Sequence, residues 1–266
     1  MDFDRYERLT FERRPHGVLL VTIDRPEKLN SADAQMSKEF TTVWADIEED
    51  DQTRVTVITG AGRAFSAGGE IDKGASGAGD LEKVKIIHRE GRQLVVNMLN
   101  CEKPIISAIN GVAVGAGLAI ALLADVSIIG RTTRFTDGHV RIGLAAGDHA
   151  AIIWPLLCGV ARAKYLLMTG DFIDGEEAAR IGLVSKAVDD GEVLREALEL
   201  ADRLGQGPQL AQNWTKASIN HWIRQAQPAF EASLALEMLT MFGDDAREGL
   251  DAILSKRKPA FPSGRP

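Results

Sequence analysis

The stretch Ile109–Asp125, INGVAVGAGLAIALLAD, joins a strand-like apolar segment to a helix through closely spaced glycines. Glycines leave the backbone N–H groups at such a helix start uncovered, and free N–H groups there can bind a developing negative charge. We therefore expect a turn that stabilises an oxyanion at this point of the chain. The alternative is that the glycines serve only to pack the strand tightly against the helix.

An earlier stretch, Ile58–Asp72 (ITGAGRAFSAGGEID), has the same character, because the β-rich run Arg54–Thr59 leads into a second glycine-rich turn. Most glycine turns only reverse the chain, so one such turn is weak evidence of function. Two of them, each following a strand, are able to supply the two N–H donors of an oxyanion hole.

Composition and charge narrow the class of protein. The chain has 266 residues, 45% of them hydrophobic, which is enough for one large core, and its two cysteines, Cys101 and Cys158, lie in apolar contexts. We therefore expect buried thiols in a cytoplasmic protein.

The N-terminal segment alternates in charge, unlike a signal peptide, and the longest uncharged apolar run, Val112–Ala124, is too short to cross a bilayer. The net charge of −7 argues against nucleic acid as a partner.

Strand and helix patterns alternate in the first part of the chain and predict an α/β core. Helices dominate after Gly159, with one strand predicted at Leu183–Val188. The break at residues 205–208 predicts a boundary between a core of residues 1–204 and a helical region of residues 208–266. The earlier elements are predicted at Val18–Asp24, Ala32–Asp50, Arg54–Thr59, Leu81–Asn100, Ile105–Ile109, Gly117–Ala124, Val126–Ile129 and around Phe135.

Five segments, in this order, resemble the crotonase (enoyl-CoA hydratase/isomerase) superfamily: Asp24–Asn30 (DRPEKLN), Gly60–Asp72, Asn110–Asp125, Ala161–Val184 and Glu248–Phe261. The resemblance covers nearly the whole chain. It implies a spiral of β-β-α units with a C-terminal helical region that covers the acyl pocket and packs homotrimers, often paired into hexamers. It also implies an acyl-CoA thioester substrate, with coenzyme A as part of the substrate and no separate cofactor.

The resemblance assigns roles to particular residues. The N–H groups of Ala67 and Ala116 would polarise a thioester carbonyl and stabilise an enolate. Lys28 and Leu29 match the segment that touches the CoA nucleotide, and Lys256–Lys258 match one that approaches a phosphate, although each lysine is equally compatible with a solvated surface charge. The glycines expected to line the substrate are Gly68, Gly69 and Gly115.

The sequence departs from the family at its two catalytic glutamates, whose positions hold Ala119 and His139. Alanine cannot transfer a proton, so the usual two-carboxylate hydration cannot operate. His139 and Asp148 form a candidate pair in which a carboxylate orients an imidazole for proton transfer near neutral pH. The alternatives are a strand-end histidine bonded to the backbone, and an aspartate that caps a helix over Asp148–Leu157.

Three functions remain open. The first is a lyase or isomerase of the enoyl-CoA hydratase type, which the CoA-type segments favour. The second is a retro-Claisen hydrolase of a β-diketone, since a His/Asp pair at this place resembles the diketone hydrolases of the superfamily. The third is a non-catalytic oligomer that binds acyl-CoA, which the loss of a glutamate at Ala119 favours.

Other titratable side chains are weaker candidates, and no metal-ligand spacing is present. The segment Gly74–Lys85, glycine-rich at its start, is expected to form a lid over the acyl pocket, and plain disorder is the alternative. The weaker candidates are His88 in a solvated helix, Glu70 and Asp72 beside the first turn, His149 at the surface, and Glu237 on a C-terminal helix that reaches the pocket in some members of the family.

Overall fold

The structure is a computed structural model that describes residues 3–70 and 78–264. Within these ranges the chain forms the mixed α/β fold that the sequence predicts. The strands are β1 Leu9–Arg14, β2 Val18–Ile23, β3 Val55–Gly60, β4 Ala64–Ser66, β5 Ile105–Ile109, β6 Val112–Ala113, β7 Val126–Gly130, β8 Arg134–Phe135, β9 Ile173–Asp174 and β10 Lys186–Val188. The helices are α1 Ala34–Glu49, α2 Leu81–Asn100, α3 Gly115–Leu123, α4 Ala150–Cys158, α5 Val160–Thr169, α6 Gly175–Arg180, α7 Val193–Gly205, α8 Gln209–Gln225, α9 Gln227–Thr240 and α10 Asp244–Leu254.

The main sheet has six strands in the order β1-β2-β3-β5-β7-β10. All its neighbouring strands are parallel except β1 and β2, which pair antiparallel. Every residue of β3 and β5 is buried, as expected for strands covered on both faces. Phe40 and Trp44 of α1 belong to the core on one face, and Ala197 and Ala201 of α7 belong to the core on the other.

Two smaller sheets lie beyond the ends of the main strands. In one, β4 pairs with β6 in parallel, and in the other β8 pairs with β9 antiparallel. Since β4 follows β3 and β6 follows β5 along the chain, this pairing carries both glycine-rich turns to the carboxyl end of the main sheet. That edge is where parallel α/β sheets place their ligands.

Most predicted elements are confirmed to within a few residues. Strand β1 was not predicted, because it is an edge strand in which only Leu9 is buried. Its charged side chains therefore show no clear alternation of apolar and polar residues. The predicted strand Leu183–Val188 is only Lys186–Val188. Both cysteines are buried free thiols, as expected. None of the helices in the described ranges is long and apolar enough to span a membrane.

A buried carboxylate ties β1 to the end of α1. The side chain of Asp50 is fully buried, and its oxygens accept hydrogen bonds from Arg13 at 2.9 and 3.1 Å and from the hydroxyl of Thr53 at 2.5 Å. Burial alone would raise the pKa of Asp50, but the bonds from Arg13 and Thr53 outweigh it and hold that pKa below its ordinary value.

We expect Asp50→Asn to lower the free energy of unfolding by about 1–3 kcal/mol near neutral pH, because it removes the charge that Arg13 pairs with. The folded-state pKa is depressed, so the stabilisation is present above the unfolded pKa of about 4 and is lost as the pH falls through the folded pKa. Urea unfolding at about pH 7 and about pH 3.5 should show a smaller wild-type–variant difference in acid. Exposed Asp51→Asn is the control, and an equal loss in the two variants would contradict the prediction.

Candidate active site

The first glycine-rich turn follows β4. The N–H of Ala67 donates to the carbonyl of Leu29 at 3.0 Å, so it is not free to bind a substrate oxygen, and its predicted role as an oxyanion donor needs correction. Two residues on, the N–H of Gly69 has no hydrogen-bond partner among the described residues. A Cβ placed on Gly69 would meet no atom within 4 Å, so the space beside it is open. Gly69 therefore replaces Ala67 as the candidate donor of this turn.

The second turn follows β6 and opens α3. Val114 donates its N–H to the carbonyl of Ser66 at 3.0 Å, which fixes this turn beside the first. Gly115 has a φ of +51°, a conformation that favours glycine, and starts the helix. The N–H of Ala116, in the first helical turn, has no acceptor within the described part of the chain. Ala116 is therefore a candidate donor, as the sequence predicts.

The two turns touch through positions that have no side chain. A Cβ on Gly115 would lie 3.5 Å from the Cα of Gly68 and 3.9 Å from the nitrogen of Gly69. A Cβ on Gly117 would lie only 2.4 Å from the Cβ of Ser66, so α3 approaches β4 more closely than alanine would allow. Two amides on adjoining turns, neither with a partner in the described ranges, are suited to bind one carbonyl oxygen.

His139 begins a short 3-10 turn after β8. Gly138, with a φ of +81°, turns the chain so that the carboxylate of Asp137 accepts from the backbone N–H of His139 at 3.3 Å and from its Nδ1 at 2.8 Å. The same Gly138 approaches the second turn, since a Cβ on it would lie 3.4 Å from a methyl of Val114. The backbone beside His139 thus approaches the second turn, and Asp137, not Asp148, bonds Nδ1 of the imidazole.

Asp148 faces the other nitrogen of His139, with 3.8 Å between Oδ1 and Nε2. The same oxygen accepts from Nδ1 of His149 at 2.5 Å, and Nε2 of His149 lies 3.9 Å from Oδ2 of Asp137. Two aspartates and two histidines therefore alternate around a closed ring. The prediction that His149 is a surface residue is wrong, because its side chain is fully buried. Asp148 does not cap the helix, which begins at Ala150 without a side-chain cap.

Glu237 of α9 completes the cluster. Its Oε1 lies 3.6 Å from Nε2 of His139, the residue is 3% exposed, and its Oε2 has no partner among the described residues. Gly147 allows this approach, since a Cβ there would lie 2.7 Å from the Cβ of Glu237. The hydroxyl of Ser233 donates to the carbonyl of Gly147 at 2.9 Å and joins α9 to the segment that carries Asp148.

The cluster shifts the pKa of its members. Burial alone would lower the pKa of His139, but Asp137, Asp148 and Glu237 together hold it well above its ordinary value. Burial raises the pKa of Glu237 to about 8, against the opposing effect of His139. Burial would also raise the pKa values of Asp137 and Asp148, but the neighbouring imidazoles hold both below normal. The cluster therefore favours charged aspartates and a charged imidazole, and Glu237 keeps its proton to a higher pH than an ordinary glutamic acid does.

The remaining predicted residues lie apart from this cluster. Ala119 is buried in the apolar core of α3 and has no proton to transfer. Lys28 is exposed, and its ammonium lies 3.3 Å from Glu70, which also pairs with Arg25. Leu29 contributes its carbonyl to Ala67. Asp72 and residues 74–77 of the predicted lid lie outside the described residues.

Sequence reasoning did not consider Asp137, and it named His149 and Glu237 only as weaker candidates. The Asp-Gly-His spacing of residues 137–139 was a usable signal, because a glycine between the two lets the aspartate fold back onto the histidine. His149 is adjacent to Asp148 and was dismissed. Glu237 has no local signal, since only the packing of α9 brings it to His139.

Comparisons with known proteins identify the family of this chain. The sequence model of the enoyl-CoA hydratase/isomerase family matches residues 13–264. A probable enoyl-CoA hydratase of Rhodobacter capsulatus is 36% identical over 249 residues, which cover 92% of this chain and 94% of the relative. The chain therefore belongs to the enoyl-CoA hydratase/isomerase family.

Solved structures show the same fold. An enoyl-CoA hydratase/isomerase from Mycobacterium paratuberculosis superposes with a TM-score of 0.88 at 30% identity, over 94% of this chain and 99% of the other. A β-diketone hydrolase from the cyanobacterium Anabaena, bound to (S)-3-oxocyclohexyl acetic acid, superposes with a TM-score of 0.83 at 27% identity, over 90% of this chain and 96% of the other.

We expect Gly117→Ala to lower the free energy of unfolding by about 1–3 kcal/mol, because the added methyl must push α3 away from Ser66. Urea denaturation followed by circular dichroism measures this loss. Gly191→Ala is the matched control, since a Cβ there meets no atom within 4 Å. Equal stability of the two variants would show that α3 is not held at this distance.

Proposed function

We propose that this protein is an acyl-CoA enzyme of the enoyl-CoA hydratase/isomerase type that works through a stabilised enolate. The observation that carries the proposal is a pair of amides on adjoining turns, those of Gly69 and Ala116, which have no hydrogen-bond partner among the described residues. The buried imidazole of His139 follows Gly138, which approaches the second of these turns. The 36% identity to a probable enoyl-CoA hydratase supports a CoA thioester as the substrate.

In the proposed reaction, the thioester carbonyl oxygen accepts hydrogen bonds from Gly69 and Ala116. Removal of a proton from the α-carbon, or addition of water to a double bond conjugated with the carbonyl, places negative charge on that oxygen, and the two N–H groups stabilise it. Donors already in place in a site shielded from water contribute about 3–4 kcal/mol each in comparable sites.

Proton transfer falls to His139 and Glu237. Asp137 holds Nδ1 of His139 and fixes the ring, which leaves Nε2 to face Glu237 and Asp148. The position of the family's first glutamate holds Ala119, which cannot transfer a proton. Glu237, on a different helix, therefore acts with His139 as the second proton-transfer group. In its neutral form the His139 imidazole takes a proton from the added water or from the substrate carbon, and the Glu237 carboxyl donates a proton to the carbon that receives one, which is general acid–base catalysis.

We expect His139→Gln and Glu237→Gln each to reduce turnover of an enoyl-CoA substrate by about 100-fold or more, since each loses a proton-transfer group. Binding of acetoacetyl-CoA, followed by heat and by the ultraviolet band of its enolate, should change by only a few-fold. His16→Asn is the control, because His16 is half-exposed, pairs with Asp202 and tolerates asparagine at its positive φ. An equal loss of binding and turnover would argue against a catalytic role.

A second candidate is hydrolysis of a β-diketone, favoured by the set His139, Asp148 and Glu237 in place of two glutamates and by the likeness to the Anabaena hydrolase. In its neutral form His139 would take a proton from water as the oxygen adds to one ketone carbonyl. The carbon–carbon bond then breaks to give a carboxylic acid and an enolate, whose oxygen binds the N–H groups of Gly69 and Ala116, and Glu237 protonates the enolate carbon. The proton on His139 then passes to the Glu237 carboxylate, 3.6 Å away, which restores both groups. Turnover of free cyclic diketones without competition by coenzyme A would favour this reaction. Binding without turnover of any thioester or diketone would favour a non-catalytic acyl-CoA-binding oligomer.

We also propose a homotrimer, or a hexamer of two trimers, on the basis of α8. This helix carries polar residues on its inner side, where buried Lys216 bonds the carbonyl of Lys103 and the carboxylate of Asp125, each at 2.8 Å. Its large apolar side chains point outward, with Trp214 59% and Trp222 67% exposed. A helix with its apolar face outward is expected to bury that face against another copy of the chain.

We expect Trp222→Arg to yield a smaller assembly than the wild type, because the charge would have to be buried in the proposed interface. Light scattering coupled to gel filtration measures the mass. Leu194→Arg on α7 is the control, as another partly exposed apolar side chain away from α8. Unchanged mass for Trp222→Arg would place the interface elsewhere.

A further inference from the structure

The cluster of acids and histidines around His139 also places several donor atoms close enough together to bind one metal ion. One nitrogen or oxygen from each of His139, Asp148 and Glu237 lies within 4.8 Å of the other two. The separations from Nε2 of His139 are 3.6 Å to Glu237 and 3.8 Å to Asp148. Imidazole and carboxylate are the donors that Zn²⁺ takes besides thiolate.

We propose that His139, Asp148 and Glu237 form a binding site for a divalent transition-metal ion such as Zn²⁺. Bonds of about 2.0–2.2 Å in a tetrahedral arrangement put neighbouring donor atoms about 3.3–3.5 Å apart. The two separations from His139 exceed this by only a few tenths of an ångström, which small side-chain rotations close. Three protein ligands leave the fourth position open, as in zinc sites that admit a water or substrate.

The groups behind these ligands support a metal ion. Asp137 accepts from Nδ1–H of His139, which leaves Nε2 as the nitrogen that coordinates. This carboxylate–histidine arrangement recurs behind metal-bound imidazoles, where it fixes the ring and increases its basicity. His149 plays the same part for Asp148, through its 2.5 Å bond to Oδ1. Hydrogen bonds to Asp137 and His149 therefore fix the side chains of His139 and Asp148, respectively.

Glu237 provides an independent indication. It is 3% exposed, and its Oε2 is buried without a hydrogen-bond partner in the described part of the chain. An unsatisfied buried carboxyl oxygen is costly, and a cation bound by both oxygens of Glu237 would satisfy Oε2 as well as take Oε1, the oxygen nearer His139. A second group of donors, Asp137, Asp148 and His149, is also close together, but His149 is fully buried and already bonds Asp148.

A metal ion at this place competes with the proton that the proposed function moves, since both use Nε2 of His139 and the Glu237 carboxyl. Zn²⁺ is therefore expected to inhibit turnover reversibly, with recovery on addition of a chelator. The inhibition rests on the proposed function, whereas the binding rests on geometry alone and is measured without any substrate.

The first measurement is binding by the full-length, metal-free protein. Zn²⁺ is titrated in competition with a chromophoric chelator, and Co²⁺ is titrated while its visible absorption bands are recorded, because those bands report the ligand geometry. We expect one ion per chain with Co²⁺ bands of a low-coordinate site. Absence of Co²⁺ bands together with failure to compete for Zn²⁺ would overturn the proposal.

Variants locate the ion. Asp148→Asn and Glu237→Gln each remove a charged ligand with little change in shape, and we expect each to weaken Zn²⁺ binding more than tenfold. Asp137→Asn alters only the group behind His139 and should weaken binding by about 10–100-fold. His16→Asn, outside the cluster, should bind as the wild type does. Equal affinity in all four variants would place the ion elsewhere and refute the site.

The outcomes separate this proposal from the proposed function. Metal binding that is lost in the cluster variants, in a protein that turns over no thioester or diketone, would sustain the site and refute the catalytic role. Turnover that depends on His139, in a protein that binds no Zn²⁺, would refute the site alone. Circular dichroism of each variant confirms that a loss of binding is not a loss of folding.

Discussion

The parallel pairing of β4 with β6 is the constraint on which the rest of the site depends. It sets the turn after each strand against the other, and the contact is possible only because no side chain stands between them. Gly117 lies against Ser66 at a distance that a methyl group would violate, and Gly115 lies against Gly68. The backbone amides of Gly69 and Ala116 lie on these adjoining turns and have no partner among the described residues, and an N–H needs no particular side chain to act as a donor.

The electrostatics of the site follow from the burial of five titratable groups in one cluster. Three carboxyl groups surround His139, so the imidazole holds its proton strongly, although burial by itself would favour the neutral ring. The pKa of Glu237 is raised, whereas the pKa values of the two aspartates are lowered, because for Glu237 the effect of burial outweighs the attraction of the nearby imidazole. A protonated carboxyl beside charged aspartates is the separation of pKa values that acid–base chemistry requires.

The helices after residue 205 serve two purposes at once. Helix α9 packs against the core and carries Glu237 to the imidazole, so the active site is complete only when this region is folded onto the rest of the chain. Helix α8 faces its polar side chains inward, where Lys216 bonds Asp125 and a backbone carbonyl, and turns its tryptophans outward. The same stretch of chain therefore supplies part of the site and an apolar surface of the kind that oligomers bury.

The sequence by itself determined the α/β class, most of the helices and strands, the two glycine-rich turns and the candidate role of His139, because periodicity, glycine spacing and motif order are local properties. It also excluded hydration by two glutamates, since Ala119 has no proton to transfer. Only the tertiary structure decided which amides are bonded: the N–H of Ala67 donates to the carbonyl of Leu29, whereas the N–H of Gly69 has no partner among the described residues and is the candidate donor. The same holds for Asp137, His149 and Glu237, whose contacts with His139 and Asp148 depend on a glycine's positive φ and on helix packing between segments far apart in the chain. Hydrogen-bond partners and burial are properties of the folded chain, so the pKa values and the ligand geometry of the cluster arise only there.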